Sequence, residues 1–290
     1  MFRSNRDRLL TVLFSGLAAI AGSVVVVIGA FVVGESIPAL THIGGSRFII
    51  DESWHPAADA SLGQFNLLPI LIGTVLSSFA AISIAAPLGI LSAVFCQFYA
   101  PPRVARWYRL MIELMAGIPS VVFGLWGLVV LVPIIARIHP PGQSLFTGII
   151  ILTLMILPTV ALLADAALAS VPQSYLQGAA ALGLSRATTT LSVMIPAARS
   201  GLVTAVLLGL VRAIGETMAV VMVCGNVVRV PSGPFDPIRT LTATIALEMG
   251  YARGDHRASL FFCGMILLIL VTLLVTTMEI VNRRQRHGTT

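Results

Sequence analysis

Residues 258–278 read ASLFFCGMILLILVTLLVTTM, twenty-one positions without an acidic or basic side chain, bordered by Arg257 and Glu279. At 1.5 Å rise per residue, one helix of this length covers the roughly 30 Å hydrocarbon core of a bilayer. A second uncharged run extends from Leu9 to Val33. The composition agrees with both: 57% of residues are hydrophobic, 10% are charged and the mean hydropathy is +0.96. A soluble domain of 290 residues has no way to clothe its surface with so little polarity, so apolar side chains must face lipid.

Working outward, apolar runs bounded by turn and charge signals predict six helices at about 9–33, 67–97, 110–135, 146–170, 201–225 and 258–282. The fold class is therefore an all-α integral membrane protein with six transmembrane helices. Six spans put both termini on one side. That side collects Arg3, Arg6, Arg8, Arg103, Arg106, Arg109, Arg186, Arg199, Arg283, Arg284 and Arg286, and the other collects Arg47, Arg137, Arg229, Arg239, Arg253 and Arg257. Eleven against six marks the terminal side as cytoplasmic. The net charge of +6 is thus a topology signal, and no nucleic-acid partner is expected. Because the first apolar run exceeds a signal-peptide core and lacks a small-x-small cleavage site, it is expected to remain as an anchor. Cys96, Cys224 and Cys263 lie in apolar segments with no CxxC spacing, so packing is expected, with no disulfide or metal.

The organisation read from the chain is an N-terminal helix with its extracytoplasmic loop (1–66), one helical unit (67–282) and a basic cytoplasmic tail (283–290). The outer links 34–66 and 226–257 are rich in Gly, Pro, Ser and acids, as turns exposed to water are. The inner link at 171–200 differs, being long, weakly charged and patterned. Pro172 suits a helix start, Tyr175, Leu176, Ala179, Ala180 and Leu182 recur at helical spacing, and Gly183 supplies the left-handed residue that stops the helix. Ser185 then caps a second helix running towards Ile195 and Pro196.

This link resembles the E-A-A-x3-G-x9-I-x-L-P loop of permease subunits of bacterial ATP-binding-cassette importers. Gln177, Gly178 and Ala179 stand at the first three positions, then Gly183, Val193, Ile195 and Pro196 at matching offsets. Gln177 replaces the family's Glu and Gly178 its Ala. Two further strings, Gly117-Ile118-Pro119-Ser120-Val121-Val122-Phe123-Gly124-Leu125-Trp126-Gly127-Leu128 and Gly209-Leu210-Val211-Arg212-Ala213-Ile214-Gly215-Glu216-Thr217-Met218-Ala219-Val220 followed by Gly225-Asn226, resemble the phosphate-specific PstC type. With Leu241 to Glu248 the likeness covers roughly 67–282. It implies a type I ABC importer permease (MetI-like) fold in the bacterial inner membrane and a path for phosphate involving Arg212, Glu216, Ser120 and Asn226. It also implies coupling to the ATPase through Gln177, Gly178, Ala179, Gly183, Ile195 and Pro196. The implied partners are a PstA-like sister permease, a PstB-like ATP-binding subunit dimer that uses ATP and Mg, and a PstS-like extracytoplasmic phosphate-binding protein. No cofactor is expected on this chain itself.

Chemistry independent of the resemblance singles out Arg212. Counted from Gly201 it lies about 16 Å into the fifth run, where a charged residue costs about 2.5–3.5 kcal/mol on insertion scales. Its planar fork of donors matches phosphate oxygens. Glu216, four residues on, is expected on the same helix face as its ion-pair partner, and a purely structural salt bridge is the alternative role. Asp165 and Glu113 are read as interfacial, Pro119-Ser120 as a break in the third helix, and Gly124, Gly127, Gly201 and Gly209 as close-approach points. An enzyme is disfavoured, since HExxH, GxSxG, paired intramembrane aspartates and a Walker loop are all missing from the sequence. A permease for sulfate or molybdate and a non-transport structural membrane protein remain the other readings.

Overall fold

A computed structural model describes residues 5–286, and the side chains of residue 7 and residues 9–280. The terminal clusters Arg3, Arg6 and Arg8 and Arg283, Arg284 and Arg286, like the tail 283–290, fall outside the described side chains. In chain order the helices are α1 (Asn5–Pro38), α2 (Arg47–Ile50), α3 (Leu68–Tyr99), α4 (Pro102–Ala116), α5 (Ser120–Ala136), α6 (Leu145–Ala169), α7 (Gln173–Ala181), α8 (Arg186–Ala197), α9 (Arg199–Ile214), α10 (Met218–Val223), α11 (Leu241–Glu248) and α12 (Gly254–Arg286). A small antiparallel hairpin, β1 (Trp54–His55) with β2 (Gln64–Phe65), stands between α2 and α3. Among the described residues, α1, α3, α6 and α12 are each long and apolar enough to cross a membrane. The pairs α4–α5 and α8–α9 meet that test only together, bent by 88° and 70°. Six spans result when each bent pair counts as one.

Two expected spans are corrected by these bends. The third, placed at 110–135, begins at Pro102, stops at Ala116 and resumes at Ser120. Pro119 has no N–H to continue the ladder and excludes the helical region for the residue before it, so the chain turns at Gly117-Ile118. The fifth, placed at 201–225, is two helices, α9 and α10, separated by Gly215-Glu216-Thr217. The outer link 226–257 also contains a helix of its own, α11.

The chain forms two compact units. One comprises the chain up to Asn66 with Glu248–Leu268, and the other runs Leu67–Leu247 and continues from Ile269. In the first, α1 meets α12 through the edge-on ring pair Phe31–Phe261, and Phe48 of α2 stacks on Phe262 at 4.4 Å. Trp54, only 4% exposed, donates its indole N–H to Glu248, which His256 also contacts at 2.9 Å. In the second unit α3, α6 and α9 pack on one another. Ala93, Val94, Ala164, Leu168, Ala198, Leu202 and Ala205 form one of its cores. Small side chains there allow the close backbone approach that helices without a hydrophobic drive in lipid need.

The close-approach glycines serve that purpose. A Cβ on Gly124 would lie 2.7 Å from the Cα of Ala219, one on Gly127 2.8 Å from Ile151, and one on Gly209 2.7 Å from Val160. A Cβ on Gly201 would press on Ala167. The three cysteines are buried and free, and no group of three metal-ligating side chains is found among the described residues.

Candidate functional site

Arg212 occupies the last turn of α9, where a cation also complements the helix dipole. Its side chain is half-buried, and Nη1 donates to Thr159 Oγ1 at 2.8 Å. Thr159 follows Pro158 inside α6. The expected pair with Glu216 does not form, because α9 ends at Ile214 and i,i+4 neighbours share a face only while the helix continues. Gly215 closes that helix by donating to Val211 O at 3.1 Å. Glu216 then turns to the next helix, accepting the N–H of Ala219 at 3.1 Å on Oε1 and so capping α10. A carboxylate at a helix N-terminus is favoured by the dipole. Arg212 therefore stands in the membrane-spanning region on a neutral hydroxyl, with no carboxylate paired to it among the described residues.

The break is held from a third side. Thr242 of α11 donates to Glu216 O at 2.7 Å, Thr240 caps α11 through Ala243 N, and Leu241 N donates to Thr74 Oγ1 on α3 at 2.9 Å. Across from it, Gly124 abuts Ala219 and Gly127 abuts Val223, so α5 and α10 run in the same direction. In that register Met218 is level with about Phe123, so α5 begins about one turn before α10. Ser120 is half-buried and its hydroxyl has no hydrogen-bond partner among the described residues. Arg212 and Glu216 thus flank the break at Gly215, and Ser120 opens α5 at the other break. The N-terminus of α10 is taken by Glu216, so the feature of this break that favours an anion is the Arg212 guanidinium on a neutral hydroxyl.

Asn226 is not brought there. It lies past the far end of α10, about 9 Å along at 1.5 Å per residue, in the left-handed region with φ 55°. Its Nδ2 donates to Val221 O at 2.7 Å, and its Oδ1 is buried without a partner among the described residues. Beyond it the loop is tied by Asp236, which pairs with Arg229 and accepts the N–H groups of Ser232 and Gly233. The Ser232 N–H, then that of Gly233 and the Arg229 charge, hold the Asp236 carboxyl below its usual range against the opposing effect of burial.

The 171–200 link folds as a helix-turn-helix. Gly183 takes φ 67°, Leu184 N donates to Ala179 O and Gly183 N to Ala180 O, which together close α7. Ser185 accepts the N–H of Thr188 and caps α8. Gln177, Gly178 and Pro196 are exposed, Ala179 is buried and Ile195 is half-buried. Tyr175, Leu182 and Leu191 leave large apolar surface open beside them.

Sequence reading missed several contacts that need tertiary structure. Thr159 and Thr242 were legible only as ordinary hydroxyls, although the Pro158-Thr159 interruption of an apolar run was a signal. Asp165, read as interfacial, accepts both Nε and Nη2 of Arg109 at 2.9 and 3.0 Å and also Gln97 Nε2 at 2.9 Å. It thereby joins α3, α4 and α6.

A family model described as "Binding-protein-dependent transport system inner membrane component" matches residues 85–287. The chain is 38% identical over 274 residues to the "Probable ABC transporter permease protein YqgH" of Bacillus subtilis, covering 93% of this chain and 88% of that one. It is 37% identical over 253 residues to the "Phosphate transport system permease protein PstC" of Mesorhizobium japonicum, covering 80% and 76%. Among solved structures, an inward-facing MetNI methionine ABC transporter superposes with a TM-score of 0.57 at 24% identity, over 75% of this chain and 93% of that one. A bacterial alginate ABC transporter in complex with its periplasmic protein gives 0.66 at 14% identity, over 96% and 95%. These neighbours share the permease fold. The chain belongs to the binding-protein-dependent transport system inner membrane components, a family of multi-pass transporter permease subunits rather than enzymes.

Proposed function

We propose that the chain is the transmembrane permease subunit of an ATP-driven importer of inorganic phosphate. The observation that carries this reading is Arg212, a guanidinium in a broken span whose only hydrogen-bond partner among the described residues is the hydroxyl of Thr159. A cation left without a carboxylate at that depth is stabilised when an oxyanion arrives, and a fork of N–H donors suits phosphate. Relatives named as phosphate permeases, at 37% identity from Mesorhizobium japonicum and 30% from Haemophilus influenzae, support the choice of anion.

In this reading Arg212 is the transient ligand, the Ser120 hydroxyl and the N-terminus of α5 face the ion, and Glu216 keeps the site from holding it too tightly. Asn226 shapes the outer end of α10. The path is completed by a sister permease around a pseudo-two-fold axis. The link 171–200 docks on an ATPase dimer, which holds ATP and Mg, while this chain binds no cofactor. An extracytoplasmic phosphate-binding protein delivers the ion, and both termini lie in the cytoplasm. ATP binding closes the ATPases, moves α7 and α8 and opens the cavity outward, and hydrolysis reverses the change.

The test is uptake of labelled phosphate, sulfate and molybdate by cells whose only such permease is this one. Phosphate alone should accumulate. Arg212→Gln should lower its uptake by at least about tenfold, and Arg212→Lys by less, since charge remains but the fork is lost. Uptake of sulfate in preference to phosphate, or normal uptake by an assembled Arg212→Gln transporter, would refute the reading.

A further inference from the structure

Helix α4 carries a feature that transport through the breaks does not use. Its side chains sort into three strips. Ala105 and Ile112 are buried against the protein, Val104, Trp107, Met111 and Leu114 are exposed and apolar, and Arg106, Arg109 and Glu113 form a polar strip. Trp107 is 65% exposed, and Tyr99 at the end of α3 and Tyr108 on α4 are exposed as well. In a membrane protein, exposed Trp and Tyr with basic residues on an amphipathic helix mark the headgroup level. The 88° bend at Gly117–Pro119 turns α4 away from α5, as a helix lying in the interface requires.

Along the polar strip runs an open groove of about 710 Å³ between the end of α3 and α4, lined by Cys96, Gln97, Pro102, Arg106, Arg109 and Glu113. Arg109 is neutralised by Asp165. Arg106 and Glu113 have no ion-pair or hydrogen-bond partner among the described residues. They lie two turns apart on one strip, about 10 Å along the helix, and both side chains reach into the space between. The groove thus offers one cation and one anion, set at the headgroup level.

We propose that this groove is a binding site for a zwitterionic phospholipid headgroup with a primary ammonium, its phosphate on Arg106 and its ammonium on Glu113. A free phosphate ion fits less well, because Glu113 repels it, and an anionic headgroup without an amine leaves that carboxylate unpaired. The Arg106 guanidinium donates to the phosphate oxygens, and the primary ammonium donates to Glu113 in a way a quaternary amine does not.

The site is tested by native mass spectrometry of the full chain in detergent, with phosphatidylethanolamine, phosphatidylcholine and phosphatidylglycerol added in turn. Phosphatidylethanolamine should be retained about tenfold over both others, as one charge-assisted hydrogen bond from its ammonium to Glu113 implies, the phosphate being common to all three. Glu113→Gln should erase the preference over phosphatidylglycerol, Arg106→Gln should abolish retention, and Arg199→Gln, which removes a positive charge elsewhere, should change neither. Arg106→Lys keeps the charge and controls for folding, since it should retain the lipid. Equal retention of the three lipids, a preference for phosphatidylglycerol that survives Glu113→Gln, or displacement of lipid by inorganic phosphate would each overturn the assignment.

Discussion

A guanidinium in a membrane span is governed by what its donors can find. Arg212 finds one oxygen, on Thr159, and that oxygen is neutral. If the hydroxyl aims the fork towards the ion, Thr159→Val removes the aim while keeping the shape of the side chain. A hydrogen bond to a charged group contributes about 1.5–3 kcal/mol, so KM for phosphate should rise roughly tenfold or more. Thr159→Ser should restore it, and an unchanged KM in the Val variant would show that Arg212 is positioned without Thr159. Arg212 itself was legible in the sequence, because a lone cation in an apolar run has few innocent explanations. Its partner was not. The i,i+4 rule favoured Glu216, and the rule failed at Gly215, where the helix it presupposes stops. Asp165 escaped for a related reason, since its bidentate contact with Arg109 joins residues 56 apart in sequence.

At the scale of elements, hydropathy alone located the long helices to within a few residues, as α6 shows at Leu145–Ala169 against an expected 146–170. Uninterrupted apolar length is a strong signal, whereas the angle at an interruption depends on what the two halves pack against. The 88° bend between α4 and α5 was therefore invisible although Pro119 announced a break. The helix-turn-helix at 171–200 was fully patterned, and it yields a contrast between two glycines. Gly183 has φ 67° with open space around it, so Gly183→Val meets no clash and fails through backbone strain alone, about 1–2 kcal/mol at a left-handed position. Such a loss reorients α8 against α7 without unfolding the spans, so the complex should assemble while ATP hydrolysis no longer drives uptake. Gly178→Ala, at an exposed helical position with nothing within 4 Å, should leave uptake intact and firm α7 by about 0.8–1 kcal/mol. ATPase and uptake assays on both variants decide the matter. Equal, normal coupling in the two would mean that the turn at Gly183 is not a coupling element.

For the molecule as a whole, the decisive question is which side each loop faces. The arginine count of eleven against six predicts that the termini lie in the cytoplasm and the β1–β2 hairpin outside. A reporter on that hairpin must be accessible, and Trp54 is unsuitable because its side chain is buried on Glu248. Leu62, 81% exposed, is the better position. The native cysteines do not interfere, since Cys96, Cys224 and Cys263 are all buried. A Leu62→Cys variant in intact cells should therefore react with a membrane-impermeant maleimide, and Leu182→Cys, 78% exposed on the helix-turn-helix, should react only after the membrane is opened. The two reporters lie on opposite sides of a map with an odd number of spans between them, α3, α4–α5 and α6. If both label from outside, a bent pair fails to cross and the count of six is wrong. If the pattern is reversed, the number of spans stands but the cytoplasmic face of α7 and α8, and with it any ATPase docking there, is lost.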